Sequence, residues 1–577
     1  MRTLHGIGCS EGFSEGSVLV KRSFQPEQLY RPAKTVEEEL QRLEDSRRTL
    51  DEHLEALYDK TLSESGEEAA ELIESYHMIA MDQPLFDRIY AKIRDGLSAP
   101  AAVRQVLEQE KSVFDAMEDA YMRERYTDIE AVAHELIALC CGVSGALSGV
   151  ELREPTIVVA DTLTPVDTVN LDKKFLRGFV TEAGGTTSHA VILARTLGIP
   201  AVVGVQGITG IAKTGETICI NGGSGTVLLS PDEREKAAFD LSAAEFRRAK
   251  ERFEKEAPGP AFTKDGTRIL LAVNSGDSDT ADALSPAVCD GVGLFRTEFL
   301  YMKEEDYPDE ETLFKAYRTA VVQMAGKPFI FRTLDIGGDK ALGYMQLPKE
   351  ENPFLGYRAV RICLDRPTLF TTQLRALLRA SAYGMVQIMF PMITCLEELL
   401  RCRAALDDAR TQLDSEGVPY RKDIPVGIMV ETPAAVLALD QLAPHVDFFS
   451  VGTNDLVQYL MAADRGNPQV QGLYTPFQIS VLRALHHIGT VARQHGVALG
   501  VCGEAASSTA MVPFLVGCGV TELSVAASTL PRLRYLVRRL NRQGCEEVVR
   551  QAVNLLSAKQ AEDFLCRFAQ QCMEEAE

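Results

Sequence analysis

The sequence lacks any apolar run that approaches the roughly 18 residues needed to cross a bilayer. Its first residues, MRTLHGIGCSEGF, lack the apolar core of a secretory signal peptide. It also lacks an excess of basic residues, since 60 Lys and Arg stand against 82 Asp and Glu, for a net charge of -22. That balance argues against a broad nucleic-acid or anionic-membrane surface. We therefore expect a cytoplasmic protein with no nucleic-acid partner and no membrane insertion, in which any phosphate chemistry uses local basic residues.

Paired cysteine motifs are missing as well. The 13 cysteines are irregularly spaced, without repeated Cys-x-x-Cys pairs, which fits neither a disulfide framework nor a zinc site. We expect most of them to be reduced, buried small apolar residues, and the vicinal pair Cys140 and Cys141 to be structural.

The chain should form three or four units, because 577 residues are too many for one hydrophobic core. Residues 1–20 have the pattern of a strand with a turn, which is too little to stand alone. Residues 21–145 carry apolar side chains three, four and seven positions apart between many charges, which predicts a helical bundle. Residues 146–230 show short β runs around one helix. Together with residues 1–20 they predict one α/β domain that the helical bundle interrupts.

Residues 231–260 are charged and helix-prone, and they end at Pro258-Gly259-Pro260, which predicts a connecting helix and then a boundary. Residues 261–577 alternate short apolar runs with helical stretches. Seven candidate strands are clear, and an eighth near LGYRAV, residues 355–360, would complete a (β/α)8 TIM barrel. The predicted fold class is thus multidomain α/β, with an α/β phosphate-accepting domain, an inserted helical bundle and a C-terminal barrel.

Charged and polar residues follow the candidate barrel strands at their carboxyl ends, where barrel enzymes carry their active sites. A surface ion pair is the simpler interpretation of any single one, but the whole set should converge on one mouth. The set is Arg296 and Glu298, Arg332 and Asp335, Glu431, Asn454 and Asp455, and Cys502 and Glu504.

The arginines indicate the kind of substrate, because a guanidinium binds carboxylate and phosphate oxygens bidentately. Arg296, Arg332, Arg358 and Arg465 therefore predict a small, multiply anionic substrate. Glu431 and Asp455 supply hard oxygen ligands. Two carboxylates, completed by substrate phosphate and water, are typical of a magnesium site. Such a metal would neutralise charge on a transferring phosphoryl group.

A second constellation is the run Gly184-Gly185-Thr186-Thr187-Ser188-His189, a glycine turn leading into a helix whose N-cap is Thr187 or Ser188. The unpaired N–H groups of a helix start favour a phosphate. The helix dipole should also disfavour imidazolium and keep His189 neutral and nucleophilic. A lone histidine near a helix start is ordinarily structural, but the motif around this one favours a functional histidine.

With these motifs the chain resembles enzyme I of the phosphoenolpyruvate-dependent sugar phosphotransferase system, nearly from end to end. Several of the motifs also occur in pyruvate phosphate dikinase and phosphoenolpyruvate synthase, but their order and the total length are specific to enzyme I. The phosphohistidine signature is GGTTSHAVILARTLGIPAVVG, and the barrel signatures are GVGLFRTEFLYM, FRTLDIGGDK, ENPFLGYRAVR, GIMVETPAA, FSVGTNDLVQYLMAADR and VCGEAA.

The resemblance implies an activity. His189 would take the phosphoryl group from phosphoenolpyruvate and pass it to a histidine of a phosphocarrier protein, with release of pyruvate, as the first step of the sugar phosphotransferase system. Cys502 would protonate the enolate carbon as pyruvate forms, although a buried structural thiol is the alternative.

The resemblance also implies roles for the barrel residues. The phosphoenolpyruvate ligands would be Arg296, Arg332 and Arg465, with Asn454 and Asp455 in contact with the substrate. Glu431 and Asp455 would bind Mg²⁺.

The resemblance further implies partners. The helical insertion would bind the histidine-containing phosphocarrier protein, with Glu67, Glu68 and Arg125 in the contact region. From the pattern alone, solvation is the simpler explanation of the acidic helix faces. The barrel would form a homodimer, and the phosphohistidine domain would swing between barrel and carrier about the linker at Pro258.

Three positions depart from the family pattern. Thr186 stands where arginine is common, Tyr76 roughly where many members have histidine, and Gln478-Ile479 where a His-Pro pair is common. None removes a residue of the transfer mechanism, but Thr186 removes a charge beside the phosphorylated histidine. These departures leave the carrier preference and the turnover rate open.

Two rival functions are weaker. A synthase or dikinase that makes phosphoenolpyruvate from pyruvate and ATP would need a nucleotide-binding domain, and residues 21–150 contain no glycine-rich phosphate loop. A non-catalytic regulator that only docks to carriers would have no need of His189, Glu431, Asp455 and Cys502.

Overall fold

The structure is a computed structural model in which the chain divides into two compact units, Met1–Arg248 and Ala249–Glu577. It describes residues 2–21, 34–65, 67–115, 120–142, 152–163, 171, 174–183, 191, 194, 197–276, 286–302, 304, 306–338, 342–348, 350–465, 467 and 469–574.

The first unit contains the helical bundle that the periodicity predicts. Its helices are α1 (Val36–Ser65), α2 (Glu67–Ala80), α3 (Gln83–Arg94), α4 (Ala99–Asp115) and α5 (Ala120–Cys141). Leu43, Leu50 and Leu54 lie on one face of α1 because they are spaced by four and seven residues, and they are buried in the bundle core. Asp82 caps α3 by accepting a hydrogen bond from the Leu85 N–H at 2.8 Å.

The described residues of the first unit also form a sheet of eight strands. They are β1 (Arg2–His5), β2 (Ile7–Ser10), β3 (Phe13–Lys21), β4 (Thr156–Ala160), β5 (Leu176–Thr181), β6 (Ala201–Val203), β7 (Thr217–Asn221) and β8 (Thr226–Leu229). Their order is β1-β8-β7-β3-β4-β5-β6-β2, and β3 to β6 are parallel neighbours. A short helix, α6 (Ile208–Ile211), precedes β7. The helical bundle is therefore inserted, along the chain, between β3 and β4, which are adjacent central strands of the sheet.

The first residues form three strands where the sequence pattern predicted one. Gly6 separates β1 from β2, and Gly12, with a φ of 141°, lies in the turn between β2 and β3. The two breaks let β1 and β2 join opposite edges of the sheet while β3 joins its centre.

The predicted connecting helix is α7 (Glu233–Lys255). Near its start it packs against the sheet, where the Phe13 ring lies 5.4 Å from Phe239 and 5.6 Å from Phe246. The proline segment after α7 belongs to the second unit, in which Arg538 donates hydrogen bonds to the carbonyls of Pro258 at 2.7 Å and Pro260 at 3.0 Å.

The second unit is a closed parallel barrel of eight strands, as predicted. The barrel strands are β10 (Arg268–Ser275), β11 (Val292–Arg296), β12 (Pro328–Arg332), β13 (Met385–Phe390), β14 (Val426–Val430), β15 (Phe448–Val451), β16 (Ala498–Val501) and β17 (Glu522–Val525), with β9 (Ala261–Phe262) antiparallel to β10. Pairing of β10 with both β17 and β11 closes the barrel.

Helices surround these strands and bury one apolar core with them. They are α8 (Glu298–Met302), α9 (Glu310–Gln323), α10 (Val360–Asp365), α11 (Pro367–Ala380), α12 (Leu396–Glu416), α13 (Pro433–Leu437), α14 (Leu439–Leu442), α15 (Thr453–Met461), α16 (Ile479–His495), α17 (Met511–Cys518), α18 (Leu530–Val537), α19 (Arg542–Ala552) and α20 (Ala558–Glu574).

The position predicted for the eighth strand was wrong. Residues 353–355 form a 3₁₀ turn and α10 begins at Val360, so LGYRAV is a connection and not a strand. The eighth strand is β17, whose short run ELSV begins with a charged glutamate and is interrupted by a serine. That composition hides a buried strand from a search for apolar runs.

Among the described helices, none has both the length and the apolar character that a membrane span requires. The 13 cysteines are free, and most of them are buried, as expected; Cys566 is exposed.

Candidate active site

The barrel brings the predicted residues together at the carboxyl ends of its strands. Arg296 and Arg332 are the last residues of β11 and β12, and the two strands pair in parallel with these arginines in register. Glu431 follows β14 directly, Asp455 lies in the first turn of α15 after β15, and Cys502 follows β16 directly. Because all eight strands are parallel, these side chains share one mouth.

A chain of buried ion pairs of alternating sign crosses this mouth. Arg332 contacts Glu298 at 2.5 Å and Asp335 at 2.9 Å. Arg358 contacts the same Asp335 at 2.9 Å and reaches Asp455 at 3.3 Å. All five side chains are buried. Burial alone would lower the pKa of both arginines, but the neighbouring carboxylates outweigh it and raise the pKa above the ordinary value, so both remain charged.

Arg296 differs from these paired arginines. Within the described part of the chain it makes no hydrogen bond or ion pair, and its neighbour in the strand register is another arginine, Arg332. Burial and then Arg332 lower the pKa of Arg296, although Glu298 and Asp335 oppose the shift. Arg465 lies more openly, with Nη1 3.9 Å from Asp455 Oδ1. A partly uncompensated cation at the end of a barrel strand is suited to bind an anion.

Glu431 is a buried carboxyl group held in one orientation. The Met392 N–H donates to its Oε1 at 2.6 Å, and Met392 has a φ of 56°, a conformation rare for a residue other than glycine. Burial, followed by the charges of Asp455 and Asp335, raises the pKa of Glu431 to about 8. A divalent cation between Glu431 and Asp455 would remove this repulsion, so the two carboxylates fit a metal with oxygen ligands.

Cys502 lies in the floor of the mouth. It belongs to a small apolar cluster with Leu294, Ile330, Met389, Met429 and Phe448, and its side chain is buried. Its Sγ donates to the Val451 carbonyl at 3.6 Å. Burial raises the pKa of Cys502 to about 11, although Ser450 and Arg332 oppose the shift. The thiol is therefore protonated at neutral pH and can give up a proton.

Two glycines of the site motifs are required by close packing. A side chain at Gly337, where φ is 108°, would meet the Arg358 Cβ at 2.5 Å. A side chain at Gly503 would meet the Thr453 Oγ1 at 2.0 Å. The second contact brings the loop after β16 against α15, where the Glu504 N–H donates to Asn454 Oδ1 at 2.9 Å.

The chain was then compared with known proteins. It is 40% identical over 559 residues to a phosphoenolpyruvate-protein phosphotransferase of Enterococcus faecalis, and the match covers 95% of this chain and 96% of that protein. The chain belongs to the phosphoenolpyruvate-protein phosphotransferase family. A family member of Geobacillus stearothermophilus is 38% identical over 567 residues, which cover 98% of both chains. The chain is thus a phosphotransferase.

Family models of phosphoenolpyruvate-utilising enzymes match three successive parts of this family member. The N-terminal model matches residues 5–125, the mobile-domain model residues 152–225, and the phosphoenolpyruvate-binding-domain model residues 250–542. An NMR structure titled as enzyme I is 31% identical, covers 42% of this chain and 99% of its own, and superposes with a TM-score of 0.36.

The sequence did not single out two residues that support this phosphotransferase site. Tyr459 donates from its hydroxyl to the Phe354 carbonyl at 2.6 Å and accepts from Arg358 at 3.1 Å. Asn274 donates to the Cys502 carbonyl at 3.1 Å and accepts from Ser524 Oγ at 2.7 Å. Asn274 could have been found, because it lies at the polar end of an apolar run, ILLAVNS, as the other strand-end residues do.

Several predicted residues lie where the structure gives no side chain. The motif from Gly184 to His189, with Thr186, is outside the described residues. Glu67 and Glu68 begin α2, and Arg125 lies in α5, but their side chains are outside the described ones. Their roles stay predictions.

Two of the departures from the family pattern can be placed. Tyr76 is 1% exposed and packs in the core of the helical bundle. Gln478 precedes α16 and donates to the Leu473 carbonyl at 3.3 Å. Because the side chain of Tyr76 is almost completely buried in the bundle, it presents almost no surface to a carrier protein.

Proposed function

We propose that this chain transfers the phosphoryl group of phosphoenolpyruvate to its own His189 and then to a histidine of a phosphocarrier protein, releasing pyruvate as the first step of a sugar phosphotransferase system. The observation that carries the proposal is the barrel mouth. It combines the cation of Arg296, which forms no ion pair among the described residues, a pair of buried carboxyl groups suited to a metal, and a protonated thiol.

The arginines account for substrate binding. Phosphoenolpyruvate carries a carboxylate and a phosphate, and guanidinium groups bind both kinds of oxyanion bidentately. Arg296 has its donors available, whereas Arg332 is fixed by Glu298 and Asp335 and presents a rigid neighbouring charge. Arg465 would contribute from the more open side, with Asn454 and Asp455 in contact with the substrate.

Arg358 was also predicted to bind the substrate. Its guanidinium already contacts Asp335, Asp455 and Tyr459. These contacts support an indirect contribution, in which Arg358 holds the Asp455 carboxylate in place.

The metal would be Mg²⁺, held by Glu431 and Asp455. When bound it would supply charge neutralisation on the transferring phosphoryl group. The two carboxyl groups come from different strand ends, and the hydrogen bond from Met392 orients one of them.

The chemistry then needs a nucleophile and an acid. As a His189 ring nitrogen forms its bond to phosphorus, the bond from phosphorus to the enol oxygen breaks, and the electron pair stays on that oxygen. The enolate carbon takes the Cys502 proton, which gives pyruvate and a thiolate. A proton from solvent restores the thiol.

The proposed partners are the histidine-containing phosphocarrier protein and a second copy of the chain. The carrier would bind the helical bundle near Glu67, Glu68 and Arg125, and two barrels would form the homodimer. A cytoplasmic location follows from a substrate and a carrier that are both intracellular metabolic components of such a system.

The deciding experiment is incubation of the full chain with phosphoenolpyruvate carrying a radiolabelled phosphoryl group, Mg²⁺ and candidate carrier proteins. We expect acid-labile label on the chain, its transfer to a carrier, and loss of both when the metal is chelated. His189→Ala should remove the label and leave phosphoenolpyruvate binding intact, because nucleophile and substrate site belong to separate domains.

The matched control is His495→Ala, which removes an exposed histidine at the end of α16 and should leave labelling normal. Acid-labile phosphate on the His189→Ala chain would contradict the assignment. A dependence on ATP would instead favour the synthase or dikinase alternative.

A further inference from the structure

Gln373 is a buried polar side chain on α11, on the outside of the barrel wall. It is 1% exposed, and its neighbours on the same helix, including Leu374 and Leu377, belong to the apolar core. An amide in such a place is costly unless both of its ends are hydrogen-bonded.

The amide is hydrogen-bonded at both ends, and two of its three partners belong to two different strand-end loops. Its Oε1 accepts from the Leu334 N–H at 3.0 Å. Its Nε2 donates to Thr297 Oγ1 at 3.1 Å and to the Tyr317 hydroxyl at 3.2 Å. Thr297 in turn donates to the Arg332 carbonyl at 2.9 Å.

The direction of these bonds is fixed by their ends. A backbone N–H can only donate and a backbone carbonyl can only accept, so Leu334 requires the amide oxygen and Arg332 requires the Thr297 proton. Thr297 Oγ1 must then accept from the amide nitrogen. A hydrocarbon side chain of similar size could neither accept the bond from Leu334 nor donate the bond to Thr297.

The two loops are those that carry the anion-binding and ion-paired residues. Thr297 lies between Arg296 and Glu298, and Leu334 lies between Arg332 and Asp335. The ladder between the two strands is irregular just before these loops, because the pairing of β11 with β12 shifts register between Val292 and Phe295.

We propose that Gln373 is a positioning residue for phosphoenolpyruvate binding, which holds Arg296 and Arg332 in one relative position through Thr297 and Leu334. The inference rests on the proposed function of the barrel mouth. It assigns a role in the reaction to a side chain that belongs to a helix and not to a strand end.

The first test is Gln373→Leu in the full chain, measured as the rate of His189 labelling against phosphoenolpyruvate concentration. Loss of two hydrogen bonds between the loops should lower kcat/KM by at least about tenfold, chiefly through a higher KM. The control is Leu413→Ala, which empties a buried site near the carboxyl end of α12, far in sequence from either loop. It should lower the melting temperature by a comparable amount and leave KM unchanged.

The second test is Gln373→Glu, which separates positioning from packing because the shape is kept. A protonated carboxyl group can accept from Leu334 and donate to Thr297, as the amide does, whereas a carboxylate cannot donate. The ionisable groups around this position are Tyr317 on α9, which is hydrogen-bonded to Gln373, and the ion-paired Glu298, Arg332 and Asp335, which lie within two residues of its partners Thr297 and Leu334. Relative to the wild-type chain at the same pH, kcat/KM of this variant should recover as the pH is lowered.

Three outcomes distinguish a failure of the positioning role of Gln373 from a failure of the proposed function on which it rests. If Gln373→Leu changes kcat/KM no more than Leu413→Ala does, or if the deficit of Gln373→Glu does not shrink at low pH, the positioning role is wrong. If the wild-type chain is not labelled by phosphoenolpyruvate, the proposed function fails first. A variant that binds the substrate normally but melts earlier would mark Gln373 as a packing residue alone.

Discussion

Two glutamates, one at each end of the barrel strands, show how little a raised pKa says by itself. Glu431 lies at the carboxyl end of β14, and Glu522 is the first residue of β17 at the opposite end. Burial is the largest cause in both, and it raises the pKa of Glu431 to about 8 and that of Glu522 to about 7. The surroundings differ in every other respect.

Glu431 lies among charges of both signs, namely Asp455, Asp335, Arg332 and Arg358. Glu522 has one charged neighbour, Asp290, which is of the same sign, and no described side chain forms an ion pair with it. Its carboxylate instead occupies space left by a glycine, since a side chain at Gly293 would meet it at 2.7 Å. Convergent ligands and counter-charges, and not the shift of a pKa, distinguish the functional end of the barrel.

The largest effect should come from Glu431→Gln. The substitution keeps the shape and removes one of the two carboxylates proposed to hold the metal, so labelling from phosphoenolpyruvate should fall by well over about 100-fold in saturating Mg²⁺. The stabilisation of the chain by Mg²⁺ together with phosphoenolpyruvate should disappear from its thermal melting curve. Full labelling by this variant, or by the wild-type chain without divalent metal, would contradict the metal-binding role that distinguishes Glu431 from Glu522.

A smaller effect is expected for Cys502→Ala, which removes the thiol from the floor of the mouth. Without its proton donor, formation of pyruvate should slow by about 100-fold, within the usual range for general acid catalysis, while substrate affinity is retained. Turnover, melting temperature and substrate affinity should be measured on one sample.

The control for that variant is Cys545→Ala, a buried thiol on α19 outside the site. It should lower stability by about 1 kcal/mol or somewhat more and leave turnover normal. Near-normal turnover with a lowered melting point for Cys502→Ala would give Cys502 the same structural role and exclude it as the acid.

The smallest effect on activity is expected for Glu522→Gln, at the other end of the strands. Labelling should stay within about twofold of the wild-type rate, because the residue lies outside the mouth. Stability should respond to pH. The pKa of Glu522 in the folded chain, about 7, is above the ordinary value of 4.5, so folding favours the protonated carboxyl group. The folded chain therefore loses stability as the pH rises from about 4.5 to about 7.

Glu522→Gln removes that loss. The melting temperature of the variant relative to the wild-type chain should therefore be higher at about pH 8 than at about pH 5. A difference that does not change with pH would show that Glu522 already ionises freely, and a loss of labelling would place it in the functional machinery.

The sequence predicted the barrel and the convergence of its site residues because both follow from local patterns. Apolar runs mark buried parallel strands, and polar residues directly after them mark the strand ends. This worked for Arg296, Arg332, Glu431 and Cys502. It failed for β17, where Glu522 and Ser524 break the apolar run, and it placed a strand at Arg358 that does not exist.

The pairing of charges could not be predicted in the same way. The sequence presents Arg296, Arg332 and Arg358 as equivalent arginines, yet two of them are bound to carboxylates and one is not. Which carboxylate faces which arginine depends on side-chain directions across strands that are distant in sequence. Gln373 was missed for a related reason, since one glutamine within TQLRALL has the same pattern as a polar residue facing solvent.

The place of the helical bundle between β3 and β4 has a consequence for the order in which the chain folds during synthesis. Ser17 pairs with Thr156, so β3 emerges from the ribosome long before its parallel neighbour and must wait, unpaired, until the whole bundle has been made. The bundle has its own apolar core and can form during that interval. The first strands of the chain are therefore among the last to pair. Their unpaired edges have to be protected from aggregation during synthesis.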